Sequence, residues 1–331
     1  MVLTTPVFSI LKKAFPQAKI DFLTAGYLKD LFTGLPELDQ VLVYPKPIKS
    51  IGSIISFFLS IRKKRYDIVI DYQCTPGTAQ IAWFTAATFR LGWKMKRRQW
   101  AYNLWSTANT KPEYVATQKC LALQELGINE VNTKLMVHIA NKFPKMIEQY
   151  FKDEKIDTNK LIINMTPVGQ VQTREWELEK YVNLANLLIE KYSATVIFSG
   201  SSKDATKLTA LSTRSPHQIR VLPMWPLEKF TAYLSQVDLH FSYDNGPKHL
   251  AIAVGTPTLS LFATDPPFLW NPVDHPNHPY ILGDVHCKFC RLTECPLMIC
   301  MESISPEQVM KKIEEIPALK NKLQSSSKIN N

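Results

Sequence analysis

Tyr243-Asp244-Asn245-Gly246-Pro247-Lys248-His249-Leu250 describes a strand that turns abruptly into a helix. Upstream, Val237 to Tyr243 is a short apolar run; downstream, Leu250, Ala251, Ala253 and Val254 continue at helical spacing until Gly255, which can take the left-handed cap conformation. Asn245 suits the N-cap, Gly246 lets a ligand approach the backbone, and Pro247 in the first turn lacks an N–H that would be orphaned there anyway. The remaining first-turn N–H groups point outward, with Lys248 and His249 as further donors, so a phosphate placed there gains hydrogen bonds and the positive end of the helix dipole. A plain capped helix start has the same residue order, and the turn alone leaves both readings open.

Working outward, the second half alternates strand and helix: Leu161 to Met165, a helix over Glu177–Tyr192, Ala194 to Phe198 running into Ser199-Gly200, Ile219 to Leu222, a helix over Pro226–Gln236, the strand before Asp244, and Thr258 to Phe262. The first half opens on Thr4-Thr5 capping a helix with Pro6 in its first turn. Strands then fall over Lys19–Thr24, Val41–Tyr44 and Tyr66–Asp71, with helical stretches over 27–35, 50–65, 79–88 and 112–126. This pattern predicts an α/β fold of two Rossmann-like, doubly wound domains. The polar segment 152–160 reads as the linker, giving domains 1–155 and 156–304, followed by a C-terminal helix and tail over 305–331 that Ser305-Pro306-Glu307-Gln308 opens as a capping box. A doubly wound domain should begin with a central strand, yet this one begins with a helix; its first strand is expected to be missing.

The chain has 331 residues, 45% of them hydrophobic and 21% charged, which suits folded domains with real cores. Its longest near-apolar run, Ile51 to Ile61, is well short of the ~20 residues of a membrane span. With no basic segment ahead of an apolar one at the start, no signal peptide is expected, and the chain reads as cytosolic. The net charge of +10 is uneven: residues 1–155 carry 22 Lys and Arg against 12 Asp and Glu, residues 156–331 carry 17 of each. A basic half points to nucleic acid, an anionic membrane surface or an anionic substrate, or to a solvated face. The basic segments are Arg62-Lys63-Lys64-Arg65 and Trp93-Lys94-Met95-Lys96-Arg97-Arg98-Gln99-Trp100, the second with aromatics placed as if to stack on bases. Four of six cysteines, Cys287, Cys290, Cys295 and Cys300, fall within one short stretch. Four thiolates can make a tetrahedral zinc site, although the second pair is more widely spaced than in zinc ribbons; a plain thiol-rich loop is the other reading. Cys74 and Cys120 read as ordinary thiols.

The order Asp-Asn-Gly-Pro-Lys-His-Leu-Ala (244–251), Gly-Thr-Pro (255–257), Leu-Phe-Ala-Thr-Asp-Pro (261–266) and Trp-Asn-Pro (270–272) resembles the signature of the ADP-heptose:lipopolysaccharide heptosyltransferases, glycosyltransferase family 9. Many members have Ser or Thr where Asn245 stands. The resemblance implies a GT-B fold with an interdomain cleft, and inverting transfer of heptose from ADP-heptose to the lipopolysaccharide inner core with no metal or other cofactor required. It assigns the nucleotide sugar to Thr166, Arg174, Asp244, Asn245, Gly246, Pro247, Lys248 and His249, with Arg174 facing the donor diphosphate from an exposed loop. It turns the basic first half toward the anionic acceptor, through Arg62, Lys63, Lys64, Arg65, Lys94, Lys96, Arg97 and Arg98, and away from nucleic acid. It further implies a cytoplasmic enzyme peripheral to the inner membrane, and residues 1–44 look most like the branch that adds a side-branch heptose. The family's catalytic Asp would stand ahead of Met1, so no catalytic base is assigned within the chain; Asp71 and Asp244 are the fallback carboxylates. A truncated, non-catalytic binder of nucleotide sugar or anionic glycolipid is the alternative.

Overall fold

The computed structural model describes residues 1–45, 51–169, 171–287, 289–292 and 294–327. The chain divides into two compact units, Leu3–His138 and Ile139–Asn331.

The second unit is built on six parallel strands: β6 (Ile162–Thr166), β7 (Thr195–Phe198), β8 (Arg220–Val221), β9 (Leu239–Tyr243), β10 (Thr258–Phe262) and β11 (Tyr280–Leu282), in the order β11-β10-β9-β6-β7-β8. Every residue of β6, β9 and β10 is buried, as a parallel sheet with both faces covered requires, and this is why these strands read as near-continuous apolar runs. Trp176, Tyr181 and Phe241 meet at 5.0 to 5.7 Å between ring centroids, knitting the helix Leu178–Tyr192 to β9. Burial of each such ring contributes on the order of 2–3 kcal/mol. The capping box forms as read, with Gln308 N donating to Ser305 Oγ and Ser305 N to Gln308 Oε1, and it starts the helix Pro306–Glu314 that seats Val309 and Ile313 in the same core.

The division between units falls earlier than residue 155. The helix Lys142–Asp153 turns Phe143, Ile147 and Phe151 inward at four-residue spacing and packs on the helix Leu227–Leu234, with Tyr150 against Trp225 at 4.8 Å and Phe151 against Tyr233 at 6.2 Å. The polar segment 152–160 is therefore a connection inside the second unit; an amphipathic helix, and not composition, sets the boundary.

In the first unit the strands are again parallel, in two sheets. β1 (Asp21–Thr24) pairs with β2 (Gln40–Val43), and β3 (Ile68–Asp71), β4 (Phe89–Trp93) and β5 (Leu104–Ser106) form the other. Asp21 accepts from both Lys64 Nζ at 2.7 Å and Tyr66 OH at 2.6 Å, linking β1 to the chain that leads into β3. The stretch 27–35 is a 3₁₀ segment, Gly26–Leu31, and 112–126 splits into Val115–Leu121 and a 3₁₀ turn that Gly127 ends at φ 77°. Thr5 precedes the first helix, Pro6–Ala14, but its hydroxyl accepts from Met136 N at 2.8 Å instead of capping. Among the described residues, no helix is long and apolar enough to cross a membrane.

Two buried histidines of the second unit make its stability pH-dependent. His240 on β9 shares a 2.8 Å hydrogen bond with Asn164 on β6, and burial holds its pKa at about 3; His278 bonds Thr258 at 3.0 Å, and burial likewise holds it at about 3. Both must stay neutral in the folded chain, whereas the unfolded chain takes up protons below its ordinary value of 6.5. The associated stability is complete above that pH and is lost as pH falls toward 3, with a limiting slope of about 1.4 kcal/mol per pH unit per histidine. Urea unfolding at pH 7, 5.5 and 4.5 should show this decline, shallower in His240→Asn; an identical slope in the variant would remove His240 as a cause.

Candidate functional site

The sheet order reverses at β6 and β9: β7 and β8 lie to one side, β10 and β11 to the other. A crevice at the carboxyl ends of the two central strands is where open parallel sheets bind ligands, and the Asp244 turn leaves β9 there. Asn245 is extended at φ −148°, and its Oδ1 accepts from Lys248 N at 3.1 Å, which makes it the N-cap of the helix Gly246–Ala253. Gly246 is exposed, and nothing lies within 4 Å of where a Cβ would stand, so a ligand can lie directly on this backbone. Pro247 sits in the first turn as read.

Lys248 does not face a ligand. Its side chain is fully buried; Nζ bonds Asp244 and, at 2.9 Å, the carbonyl of Trp270, and it lies 4.5 Å from the centre of the Phe262 ring. Burial lowers its pKa, and the Asp244 charge opposes that shift. The four-residue spacing puts Asp244 and Lys248 on one side of the turn, and the β9–β10 wall closes over them; the cation is an internal counter-ion. His249 is half-buried, 6.5 Å from the Trp270 ring.

Arg174 is the cation that reaches the crevice, from a more enclosed position than an exposed loop. Two-thirds of its side chain is covered; Nη2 meets Asp265 at 2.6 Å and Nη1 lies 3.8 Å from Asp244. Its buried Nε has no partner among the described residues. The flanking residues fix the arginine: Thr173 donates to Leu292 O at 2.8 Å, and the buried indole of Trp176 donates to Ile304 O at 3.1 Å. Earlier in that loop, a Cβ on Gly169 would lie 1.3 Å from the Tyr243 hydroxyl, so only glycine lets the chain pass the end of β9. Thr166 ends β6 as expected, but it is buried and shares a 2.9 Å hydrogen bond with Ser199, so its hydroxyl is directed into the sheet. Asp265 is the site residue that sequence reasoning passed over, although it lay in a quoted motif just beyond an apolar strand, where carboxylates reach a crevice.

The two fallback carboxylates are occupied. Asp71 accepts from Gln73 N, Cys74 N and, at 2.7 Å, Tyr102 OH, while Asp244 is held by Lys248 with Arg174 nearby. In the basic segments, Lys63, Arg65, Lys94, Lys96 and Arg97 are exposed. Arg62 and Lys64 are exposed too and Arg98 half-buried, but each is tied to the fold: Arg62 donates to Phe84 O at 3.1 Å, Lys64 to Asp21 and Gln40, and Arg98 to Cys74 O at 2.7 Å. Trp93 is buried with its indole on Tyr72 O, which removes it from any stacking surface; Trp100 is exposed. Among the described residues, no three His, Cys, Asp or Glu side chains already stand in a metal-holding arrangement.

The two cations should separate in a stability measurement. Lys248→Met leaves Asp244 buried without its closest counter-charge and should cost about 3 kcal/mol. Arg174→Ala, at a partly solvated ion pair, should cost under about 1 kcal/mol. Urea unfolding of both variants checks this, and equal losses would mean that Lys248 is not the internal partner described.

The family model for glycosyltransferase family 9 (heptosyltransferase) matches residues 54–299. A lipopolysaccharide core heptosyltransferase of Haemophilus influenzae is 23% identical over 273 residues, covering 80% of this chain and 76% of that one. Among solved structures, a family 9 glycosyltransferase of Veillonella parvula superposes with a TM-score of 0.86 at 20% identity, covering 98% and 94% of the two chains. The Escherichia coli ADP-heptose lipopolysaccharide heptosyltransferase II gives 0.78 at 18% identity, covering 97% and 96%. With the family pattern spread over most of the sequence and the GT-B class α/β fold throughout, this chain belongs to glycosyltransferase family 9, the heptosyltransferases.

Proposed function

We propose that the protein transfers heptose, with inversion, from ADP-heptose to an anionic acceptor of the lipopolysaccharide inner core at the cytoplasmic surface of the inner membrane. One observation carries the donor half: the open Gly246 backbone starts a capped helix two residues after Asp244, and the Asp244 carboxylate lies 3.8 Å from Arg174, a guanidinium whose buried Nε has no partner among the described residues. That pairing suits a diphosphate, which needs backbone donors along one edge and a planar cation on another. The relatives named above supply the sugar and the acceptor class.

In this reading the acceptor hydroxyl oxygen bonds to the anomeric carbon as the bond from that carbon to the diphosphate oxygen breaks, on the opposite face. The leaving electron pair goes to the β-phosphate oxygen of ADP, and the acceptor's hydroxyl proton passes to solvent water as the new bond forms. Arg174 exchanges part of its contact with Asp265 for the β-phosphate, and the helix dipole at Gly246 stabilises the same growing charge. Lys248 keeps Asp244 in place, which fixes the end of β9 and the helix start that follows it. Pro247 shapes the turn, Asn245 caps it, His249 flanks it, and Thr166 supports the floor through Ser199. The exposed Lys63, Arg65, Lys94, Lys96 and Arg97 attract the acceptor's phosphates and carboxylates.

Calorimetric titration with ADP tests the donor site. Arg174→Ala should weaken binding about 10- to 100-fold, the scale of one or two charge-assisted hydrogen bonds; unchanged affinity would remove Arg174 from the diphosphate. Raising salt from 50 to 300 mM should weaken binding of heptose-deficient lipopolysaccharide more than binding of ADP, since exposed charges are screened over about 10 Å or less. Equal salt sensitivity would contradict the acceptor assignment. ADP binding without heptosyl transfer would favour the non-catalytic binder.

A further inference from the structure

Cys287, Cys290, Cys295 and Cys300 line one cavity of about 40 Å³, together with Thr173, Thr264, Leu297, Met298 and Ile299. The rest of the lining is mostly apolar, and the thiols, two of them exposed and two half-buried, are its soft donors. The volume suits a single ion with its ligands drawn in, not a small organic molecule. The chain around these cysteines is held in an unusual backbone state: Phe289 and Arg291, on either side of Cys290, are left-handed at φ 57° and 55°, and Met298 at 46°. Such conformations persist only where surroundings impose them, and they concentrate at ligand-holding loops.

The loop is also tied to the crevice. Thr173 donates its hydroxyl hydrogen bond to Leu292 O, and Arg291 N donates to Thr264 O at 3.0 Å. Thr173 precedes Arg174 and Thr264 precedes Asp265, so the cysteine loop braces both members of the 2.6 Å pair at the candidate diphosphate site.

We propose that these four cysteines bind one thiophilic divalent metal ion, zinc or ferrous iron, as a structural staple that fixes the loops carrying Arg174 and Asp265. Thiolates are the donors that select these ions, and four of them complete a tetrahedron with no position left open for catalysis. The thiols move inward as they deprotonate, and the two threonine bonds pass the resulting order to the crevice. The effect on ADP rests on the donor reading given above; the metal itself does not.

The test is elemental analysis of protein purified without chelator from medium supplied with zinc and iron, with thiol titration and ADP calorimetry on the same samples. The expected result is about one zinc or iron per chain, lost in the Cys290→Ser/Cys295→Ser double variant, with ADP binding weakened about fivefold or more. In folded metal-bound protein, the four clustered thiols should resist titration until a mercurial releases the ion. Protein without stoichiometric metal, whether all six cysteines titrate as free thiols on unfolding or a pair is missing as a disulfide, overturns the proposal. Metal bound with no ADP affinity would instead strike the donor reading and leave the metal site standing. Metal retained in the double variant would place it elsewhere and also overturn the assignment.

Discussion

A buried ion pair governs the architecture of the crevice. Lys248 lies fully inside the second unit with its ammonium on Asp244 and on the carbonyl of Trp270. The pair connects the end of β9, the first turn of the following helix and the segment after β10 through one nitrogen. Desolvating a lysine is unfavourable, and the arrangement persists because carboxylate, carbonyl and aromatic face together surround the charge. With Asp244 neutralised from inside, Arg174 remains available at the mouth. It bridges toward Asp244 at 3.8 Å and holds Asp265 at 2.6 Å without burying its charge completely. With Lys248 as the internal partner of Asp244, Arg174 pairs mainly with Asp265 at the mouth, from a side chain that is one-third exposed.

Much of this was legible in the residues. The strand–turn–helix at 243–250 follows from an apolar run, Asn at the cap, Gly, and Pro in the first turn, all local effects; the structure agrees on each. The buried strands β6, β9 and β10 were legible because a sheet covered on both faces selects unbroken apolar runs. The orientation of Lys248 was not. Local chemistry allows a lysine at that position to face either way, and the choice is made by the Trp270 carbonyl and the Phe262 ring, which come from elsewhere in the chain. The Asp244–Lys248 spacing of four was the available signal, and a helix-start lysine one turn after an acid should be read as its partner first.

Other departures share that cause. β5 and β11 have three residues each, and β4 (Phe89–Trp93) starts exposed and carries Arg90 and Gly92, so none of them shows the unbroken apolar run of a strand covered on both faces. Arg62, Lys64 and Arg98 looked like members of a free basic surface, yet each satisfies a carbonyl, a carboxylate or an amide supplied from a distant segment. Of the three, only Lys64 has its charge offset by a carboxylate, while Arg62 and Arg98 keep theirs, so what the structure removes is mainly the freedom of these side chains and not the field of the basic half. The domain boundary followed the same rule: polar composition at 152–160 was outweighed by three apolar side chains of one helix packing into the second unit.

We propose that the diphosphate of a nucleotide-sugar donor lies on the Gly246 backbone and draws Arg174 to it. A crystal structure of the protein with ADP tests this most directly. The β-phosphate is expected against the Gly246 end of the helix, with the Arg174 guanidinium turned from Asp265 toward the phosphate oxygens and Lys248 still buried on Asp244. ADP bound away from that helix start, or bound there with Arg174 still fully engaged by Asp265, would contradict it.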